Sequence, residues 1–167
     1  MQYVQVVAAW LKTTRVSWAV AGGIPWLWPL GEILHFIGLS MLVGIAGVLD
    51  LRMLGVAKGL PLAPLQRLIP FAIAGFLINM VTGFLFFAGD PFQYIHNYAF
   101  GLKMLFIALA GVNVFVFYAL GLSRRIETVG PGQDAPLGAK ITAAVSLFLW
   151  VGVMFWGRML PFLGTAF

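Results

Sequence analysis

The sequence predicts an all-α polytopic membrane protein, in which four transmembrane helices form one bundle preceded by an N-terminal interfacial helix. Of its 167 residues, 62% are hydrophobic and only 9% are charged, whereas a soluble domain has roughly a quarter of its residues charged. Four apolar runs each approach the ~20 residues that a helix needs to cross the hydrocarbon core of a bilayer. Each run must be helical because lipid offers no hydrogen-bond partner to an open backbone.

The four predicted spans lie within a single transmembrane domain, residues 1–167. They cover about 28–49, 68–88, 98–121 and 141–160. Pro29 suits the first turn of the first span, where its missing N–H costs no hydrogen bond. The linkers carry turn-forming glycine and proline at 59–64, 89–91 and 130–132.

Residues 1–22 precede the first span and predict a short amphipathic helix. Tyr3, Val7, Trp10 and Leu11 share one helical face, which favours a helix lying in the interface of the outer leaflet. A cleaved signal peptide is disfavoured, since no positive charge precedes the apolar stretch and no cleavage site follows it.

Lysine and arginine predict the orientation of the bundle, because positively charged short loops stay in the cytoplasm. The loop between the second and third spans has neither residue, whereas the other two loops are basic. The basic residues are Arg52, Lys58, Arg67, Arg124, Arg125 and Lys140. We therefore expect both termini to be extracytoplasmic. Topology also accounts for the net charge of +5 without nucleic acid as a partner.

The candidate site lies near the extracytoplasmic face and begins with Glu32 and His35, one turn apart inside the first span. Ionisable groups at membrane depth are costly and indicate a functional site. The candidate cofactor-binding residues are Glu32, His35, Tyr94, Asn97, Lys103 and Arg158, and the candidate metal ligands are His35 and His96. We expect Lys103 or Arg158 to neutralise Glu32. Alternatively, the two cations extend to the lipid headgroups and Glu32 only favours the helix dipole.

Small and amide-bearing residues predict how the helices pack, because close backbone approach and polar contacts hold membrane helices together. Ser40, Gly44 and Gly47 line one face of the first span. Asn79 and Asn113 lie near mid-membrane in the second and third spans, and we expect an amide–amide bond between them.

Asp50 and Arg52 end the first span on the cytoplasmic side. We expect them to anchor the topology, with Asp50 paired to Arg67 or Arg125, or with Arg52 bound to lipid phosphate.

The strings 28–38 (WPLGEILHFIG), 50–55 (DLRMLG) and 82–87 (TGFLFF) together resemble a family of small bacterial inner-membrane proteins of unknown function. That family is distantly similar to copper-resistance D-type proteins and to small four-helix b-type haem proteins. The resemblance implies an inner-membrane location and no established activity. It implies that the characteristic polar positions are Glu32, His35, Asp50, Arg52, Tyr94, Asn97, Lys103, Asn113 and Arg158. His96 falls outside this pattern.

The identity of any cofactor stays open. Haem b needs an axial ligand such as histidine, so it would use His35 with His96, or with Met104 or Met154. Copper accepts imidazole and thioether ligands, so it would combine His35 with Met41, Met104, Met154 or Met159. A quinone headgroup held by His35 and Lys103 is a further alternative. Because the chain has no cysteine, thiolate metal sites are excluded.

We expect an accessory or cofactor-carrying subunit of a membrane redox or transport system, in contact with lipid and with a protein partner or a second copy. The alternatives are a transporter or handling protein for a small ion such as copper, and a pure anchor or scaffold. No nucleophile-elbow, P-loop or metalloprotease motif occurs, so an enzyme acting alone is the least supported class.

Overall fold

The computed structural model describes residues 2–163 and confirms the predicted all-α bundle. Within that range, four helical stretches are long and apolar enough to cross a membrane. They are Leu27–Leu54, Leu62–Gly89, Tyr98–Ala119 and Leu137–Leu163. The protein is therefore a multi-pass membrane protein whose apolar helices contact lipid.

Short helices connect the long ones and cap both ends of the bundle. In chain order the helices are α1 (Gln2–Lys12), α2 (Arg15–Trp18), α3 (Leu27–Leu54), α4 (Leu62–Gln66), α5 (Ile69–Gly89), α6 (Pro91–Ile95), α7 (Tyr98–Ala119), α8 (Leu122–Glu127) and α9 (Leu137–Leu163). We call the end with α1, α2 and α6 the terminal end, and the end with α4 and α8 the loop end.

The four long helices form two pairs joined along one seam. Helix α3 packs along α5, α7 packs along α9, and the two pairs meet where α3 contacts α9. Helices α5 and α7 make no comparable contact. A cleft therefore separates α5 from α7, with α3 and α9 at its back.

Helix α3 ends at the loop end because Gly55 adopts a left-handed conformation, with φ of 102°. The N–H of Gly55 donates to Arg52 O at 3.1 Å, and that of Val56 donates to Leu51 O at 2.9 Å. These bonds satisfy carbonyls that the last helical turn leaves without partners. They also hold Arg52 in the final turn, directly beneath the loops.

Helix α1 is tied to the terminal end of the bundle through its last residue. Lys12 Nζ donates to Gly89 O at 2.9 Å and lies 3.5 Å from Asp90 Oδ1. Leu11 is buried, whereas Tyr3 and Trp10 are 88% and 64% exposed. An apolar face thus points away from the bundle, and insertion of that face into the outer leaflet stays a prediction.

The close contact between α3 and α5 uses Gly38 and Gly75. A Cβ on Gly38 would lie 2.8 Å from Gly75 O, so only glycine permits this approach of the two backbones. By contrast, a Cβ on Gly44 or Gly47 would meet no atom within 4 Å. The prediction that those two glycines line the packed face of α3 is therefore wrong, because α3 presents Gly38 to its neighbour.

The predicted amide–amide bond between Asn79 and Asn113 is also wrong. Asn79 Nδ2 donates at 3.0 Å to Gly75 O, one turn earlier in α5. Asn113 Nδ2 donates at 3.0 Å to Thr142 O of α9. The two amides belong to α5 and α7, which lie on opposite sides of the cleft, so each bonds within its own helix pair.

Candidate functional site

The centre of the predicted site is a hydrogen bond between α3 and α5. His35 Nδ1 lies 2.7 Å from Oγ1 of the buried Thr82. The same hydroxyl lies 2.7 Å from the carbonyl oxygen of Ile78, which can only accept. The single hydroxyl proton therefore goes to Ile78, and Thr82 accepts from His35 Nδ1–H. In this tautomer the Nε2 atom of His35 carries the lone pair.

Two neighbours on α5 fix the position of the imidazole ring. The ring of Phe86 lies tilted against it, with centroids 5.6 Å apart. Gly83 leaves room on the same side, where a Cβ would lie 3.8 Å from His35 Cε1. His35 is thus half-buried and held in one orientation by the hydrogen bond and this packing.

Lys103 brings α7 and α9 into the same cluster. Its side chain runs past Gly157, where a Cβ would lie 3.6 Å from both Cε and Nζ. Its ammonium lies within electrostatic range of the His35 imidazole. Each of the four long helices thus contributes one member of the His35 cluster, which we define as His35, Thr82, Lys103 and Gly157.

Glu32 does not join this cluster through an ion pair. Its carboxylate is exposed and accepts a hydrogen bond of 3.1 Å from Nε1 of Trp28, one turn earlier. Among residues 2–163, neither Lys103 nor Arg158 lies within ion-pair distance of Glu32. The expected neutralisation is therefore wrong, because the indole in the first turn of α3 satisfies the carboxylate at the surface.

Tyr94 lies in α6 at the terminal end and packs against aromatic rings of α5 and α7. Its ring meets Phe100 edge-on, with centroids 5.2 Å apart, and lies 5.9 Å from the ring of Phe87. Burial raises the pKa of the Tyr94 phenol to about 12, and the carboxylates of Asp90 and Glu32 contribute to the same shift. The phenol consequently stays protonated at neutral pH and is a hydrogen-bond donor there.

Asn97 connects α7 to α9 and is 4% exposed. Its Oδ1 accepts from the N–H of Ala99 at 2.9 Å, which caps the start of α7. Its Nδ2 donates to Leu160 O at 2.8 Å. Both ends of the amide are therefore used to hold two helix ends together.

Arg158 and His96 lie on the surface. The guanidinium carbon of Arg158 lies 5.5 Å from the centroid of the Phe162 ring, one turn further along α9. His96 is exposed, stacks on Phe92 and has Nδ1 3.1 Å from the carbonyl oxygen of Phe92. The contacts of His96 are thus local to α6, and no contact joins it to His35.

Asp50 and Arg52 are both buried rather than exposed at the membrane surface, with 5% and 1% exposure. Arg52 donates to the backbone carbonyls of Leu60, Gly130 and Gln133, which belong to two different loops. Lipid phosphate therefore does not contact it. Nor does Asp50 take part in any ion pair of the described chain, so its expected pairing with an arginine is wrong.

The residues around His35 offer little for a metal ion. Over residues 2–163, no group of three or more His, Cys, Asp or Glu side chains could hold one. The thioether candidates Met104 and Met154 are exposed, at 40% and 37%. A cavity of about 440 Å³ lies beside α1 and another of about 360 Å³ lies in the cleft, and His35 lines neither of these.

Comparison with protein-family models, curated proteins and solved structures finds no match to this chain. Sequence reasoning assigned neither Thr82 nor Gly157 to the site, although Gly75, Asn79, Thr82 and Gly83 fall on one face of the second predicted span. Thr82 lies seven residues after Gly75 and three after Asn79, so a shared helical face was the available signal.

Proposed function

We propose that this chain is an accessory, cofactor-carrying subunit of a membrane redox or transport system in the bacterial inner membrane. The observation that carries the proposal is the His35 cluster, in which an imidazole and an ammonium from different helices lie inside a membrane-spanning bundle. Such groups are costly in lipid and mark cofactor sites, proton relays or ion paths.

The chemistry of the cluster favours an oxygen-bearing headgroup such as a quinone. The Lys103 ammonium is a hydrogen-bond donor, and His35 Nε2 is an acceptor in the tautomer that Thr82 imposes. Together they match a headgroup that alternates between carbonyl and hydroxyl. A copper ion is disfavoured because the nearby ammonium repels it, and two of its candidate thioether ligands, Met104 and Met154, are 40% and 37% exposed.

The test is the cofactor content of protein purified in mild detergent. We expect solvent extraction to release quinone from the wild type, less from His35→Ala and Lys103→Met, and an unchanged amount from His96→Ala. His96 is the matched control because it is exposed and its hydrogen bond and ring contact within residues 2–163 are both to Phe92. A haem absorption band that is present in the wild type and lost in His35→Ala would show that the cofactor is haem b and not a quinone. If all four proteins release the same trace amount of quinone, the cofactor role is refuted. The role of an anchor or scaffold then remains.

The proposed partner surface is the outer face of α3. Ser40 is exposed, and a Cβ on Gly44 would meet no atom within 4 Å. Small residues of this kind permit close helix approach in membranes. We expect Gly44→Leu to reduce crosslinking to a partner or second copy in native membranes while the variant still accumulates. Unchanged crosslinking would exclude this face.

A further inference from the structure

The cleft between α5 and α7 is a cavity of about 360 Å³ in the loop half of the bundle. This volume lies within the range of small-molecule sites, about 300–1,000 Å³. All four long helices line it, and nearly all of the lining is apolar. Ile73 of α5 and Val114 of α7 line its edges and are 54% and 47% exposed. The cavity is therefore open sideways, toward the acyl chains of the membrane.

One carboxylate faces this apolar space without a full set of partners. Asp50 lines the cleft, is 5% exposed, and its Oδ2 is buried with no hydrogen-bond partner among residues 2–163. On the neighbouring helix α9, the hydroxyl of Ser146 interacts with the same carboxyl group. A buried acceptor that lacks a donor is costly, and a buried unpaired charge is costlier still.

Among the described residues 2–163, no cation lies within ion-pair distance of Asp50. Arg52 follows Asp50 by two residues and points instead to the loop carbonyls of Leu60, Gly130 and Gln133. Lys58 and Lys140 both pair with Asp134. These three basic side chains of the loop end are thus engaged elsewhere.

We propose that the cleft binds a lipophilic amine, whose ammonium pairs with Asp50 and whose hydrocarbon chain fills the space between α5 and α7. An ammonium supplies both the donor that Oδ2 lacks and the compensating charge. The apolar lining accommodates the chain, and the lateral opening admits it from the bilayer. This inference is independent of the cofactor proposed for the His35 cluster.

The geometry also fixes how the ligand lies. Asp50 is near the loop end, whereas Leu42, also on the wall of the cleft, lies eight residues earlier in α3 and roughly 12 Å deeper in the membrane. Trp150 of α9 lines the same cavity, one helical turn beyond Ser146. The headgroup binds at Asp50, and the chain extends past Trp150 toward mid-membrane.

Trp150 provides the readout, because a bromine atom in contact with an indole quenches its fluorescence. The protein is placed in phosphatidylcholine nanodiscs and titrated with a dodecylamine brominated near the middle of its chain, and separately with the matching alcohol and carboxylic acid. Quenching is taken as the difference from a Trp150→Phe variant, which removes the contribution of the other tryptophans. We expect saturable quenching by the amine, with the alcohol and the acid at least about tenfold weaker.

Two variants and one control test the site itself. Asp50→Asn keeps the side-chain size but removes the charge, and should weaken amine binding about tenfold to a hundredfold. Gly111→Leu places a side chain in the cleft where a Cβ meets no atom within 4 Å, so it should fold and block binding. Glu127→Gln makes the same charge change at an exposed site of the same end, and should bind like the wild type.

The outcomes separate the occupants of the cleft. Equal quenching by amine, alcohol and acid would overturn the proposal and indicate that any acyl chain fills the space. Quenching by the amine that survives in both Asp50→Asn and Gly111→Leu would overturn it as well, because the site would then lie elsewhere. If none of the three probes quenches the fluorescence and the protein has a dimeric mass, the proposal is overturned. The occupant of the cleft is then a second copy of the chain.

Discussion

Replacing Arg52 by glutamine is expected to lower the free energy of unfolding by about 3 kcal/mol. A hydrogen bond from a charged group contributes about 1.5–3 kcal/mol. Arg52 donates to Leu60 O in a close contact and to Gly130 O at 3.1 Å, whereas both bonds to Gln133 O measure 3.4 Å. Two effective bonds near the lower limit, at about 1.5 kcal/mol each, give this value, since water can reach the loop carbonyls once the guanidinium is gone.

The assay is reversible unfolding in mixed micelles with increasing denaturing detergent, followed by tryptophan fluorescence. Arg124→Gln is the matched control: it removes the same charge from an exposed position at the same end and should change stability by less than about 0.5 kcal/mol. Amide exchange around residues 130–133 should also accelerate in Arg52→Gln, because the loop loses its anchor. If Arg52→Gln unfolds within error of Arg124→Gln, the guanidinium does not hold the two loops together.

Three further predictions concern the terminal half of the bundle. Gly38→Ala should lower the free energy of unfolding by about 1–3 kcal/mol, because its methyl would lie 2.8 Å from Gly75 O. Gly44→Ala, whose methyl would meet no atom within 4 Å, should leave that free energy unchanged in the same assay. Asn97→Ala should cost about 2 kcal/mol by removing one helix cap and one interhelical bond, and unchanged stability would rule out that link. When the protein is titrated to alkaline pH and followed by ultraviolet absorbance, one phenol should ionise late, at high pH. That late transition should be absent in Tyr94→Phe. Since the pKa of Tyr94 is raised from 10.0 to about 12, its stabilising effect is complete below pH 10.0 and is lost as the pH rises toward about 12.

The fold could be predicted from the sequence because hydropathy, turn residues and loop charge each report on span position. The sequence does not predict which face of each helix points into the bundle. Both faces of a membrane helix meet apolar surroundings, so the usual alternation of polar and apolar residues disappears. Gly44 and Gly38 therefore look equivalent in the sequence, although only Gly38 touches α5. The pairing of α3 with α5 and of α7 with α9 likewise leaves no mark in composition, which is why Asn79 and Asn113 were expected to meet.

The depth of the candidate residues could be predicted, but their partners could not. Topology alone places His35 and Lys103 at a similar depth, whereas the bond from His35 to Thr82 depends on helix rotation. Asp50 and Arg52 are separated by two residues, about 200° around a helix, so they point to different surroundings. Their sequence context suggests a solvated helix end, yet one faces the cleft and the other binds the loops above it.

Both polar sites cross the same seam between the helix pairs. His35 and Asp50 belong to α3, whereas Lys103 belongs to α7 and Ser146 to α9. The two pairs meet mainly through α3 and α9, so a small rotation of one pair against the other changes both polar contacts together. A ligand that widens the cleft at Asp50 must therefore alter the surroundings of His35, and we expect the ring resonances of His35 to shift when the amine probe binds. A cleft that fills without any such shift would mean that the seam is rigid and that the two sites act separately.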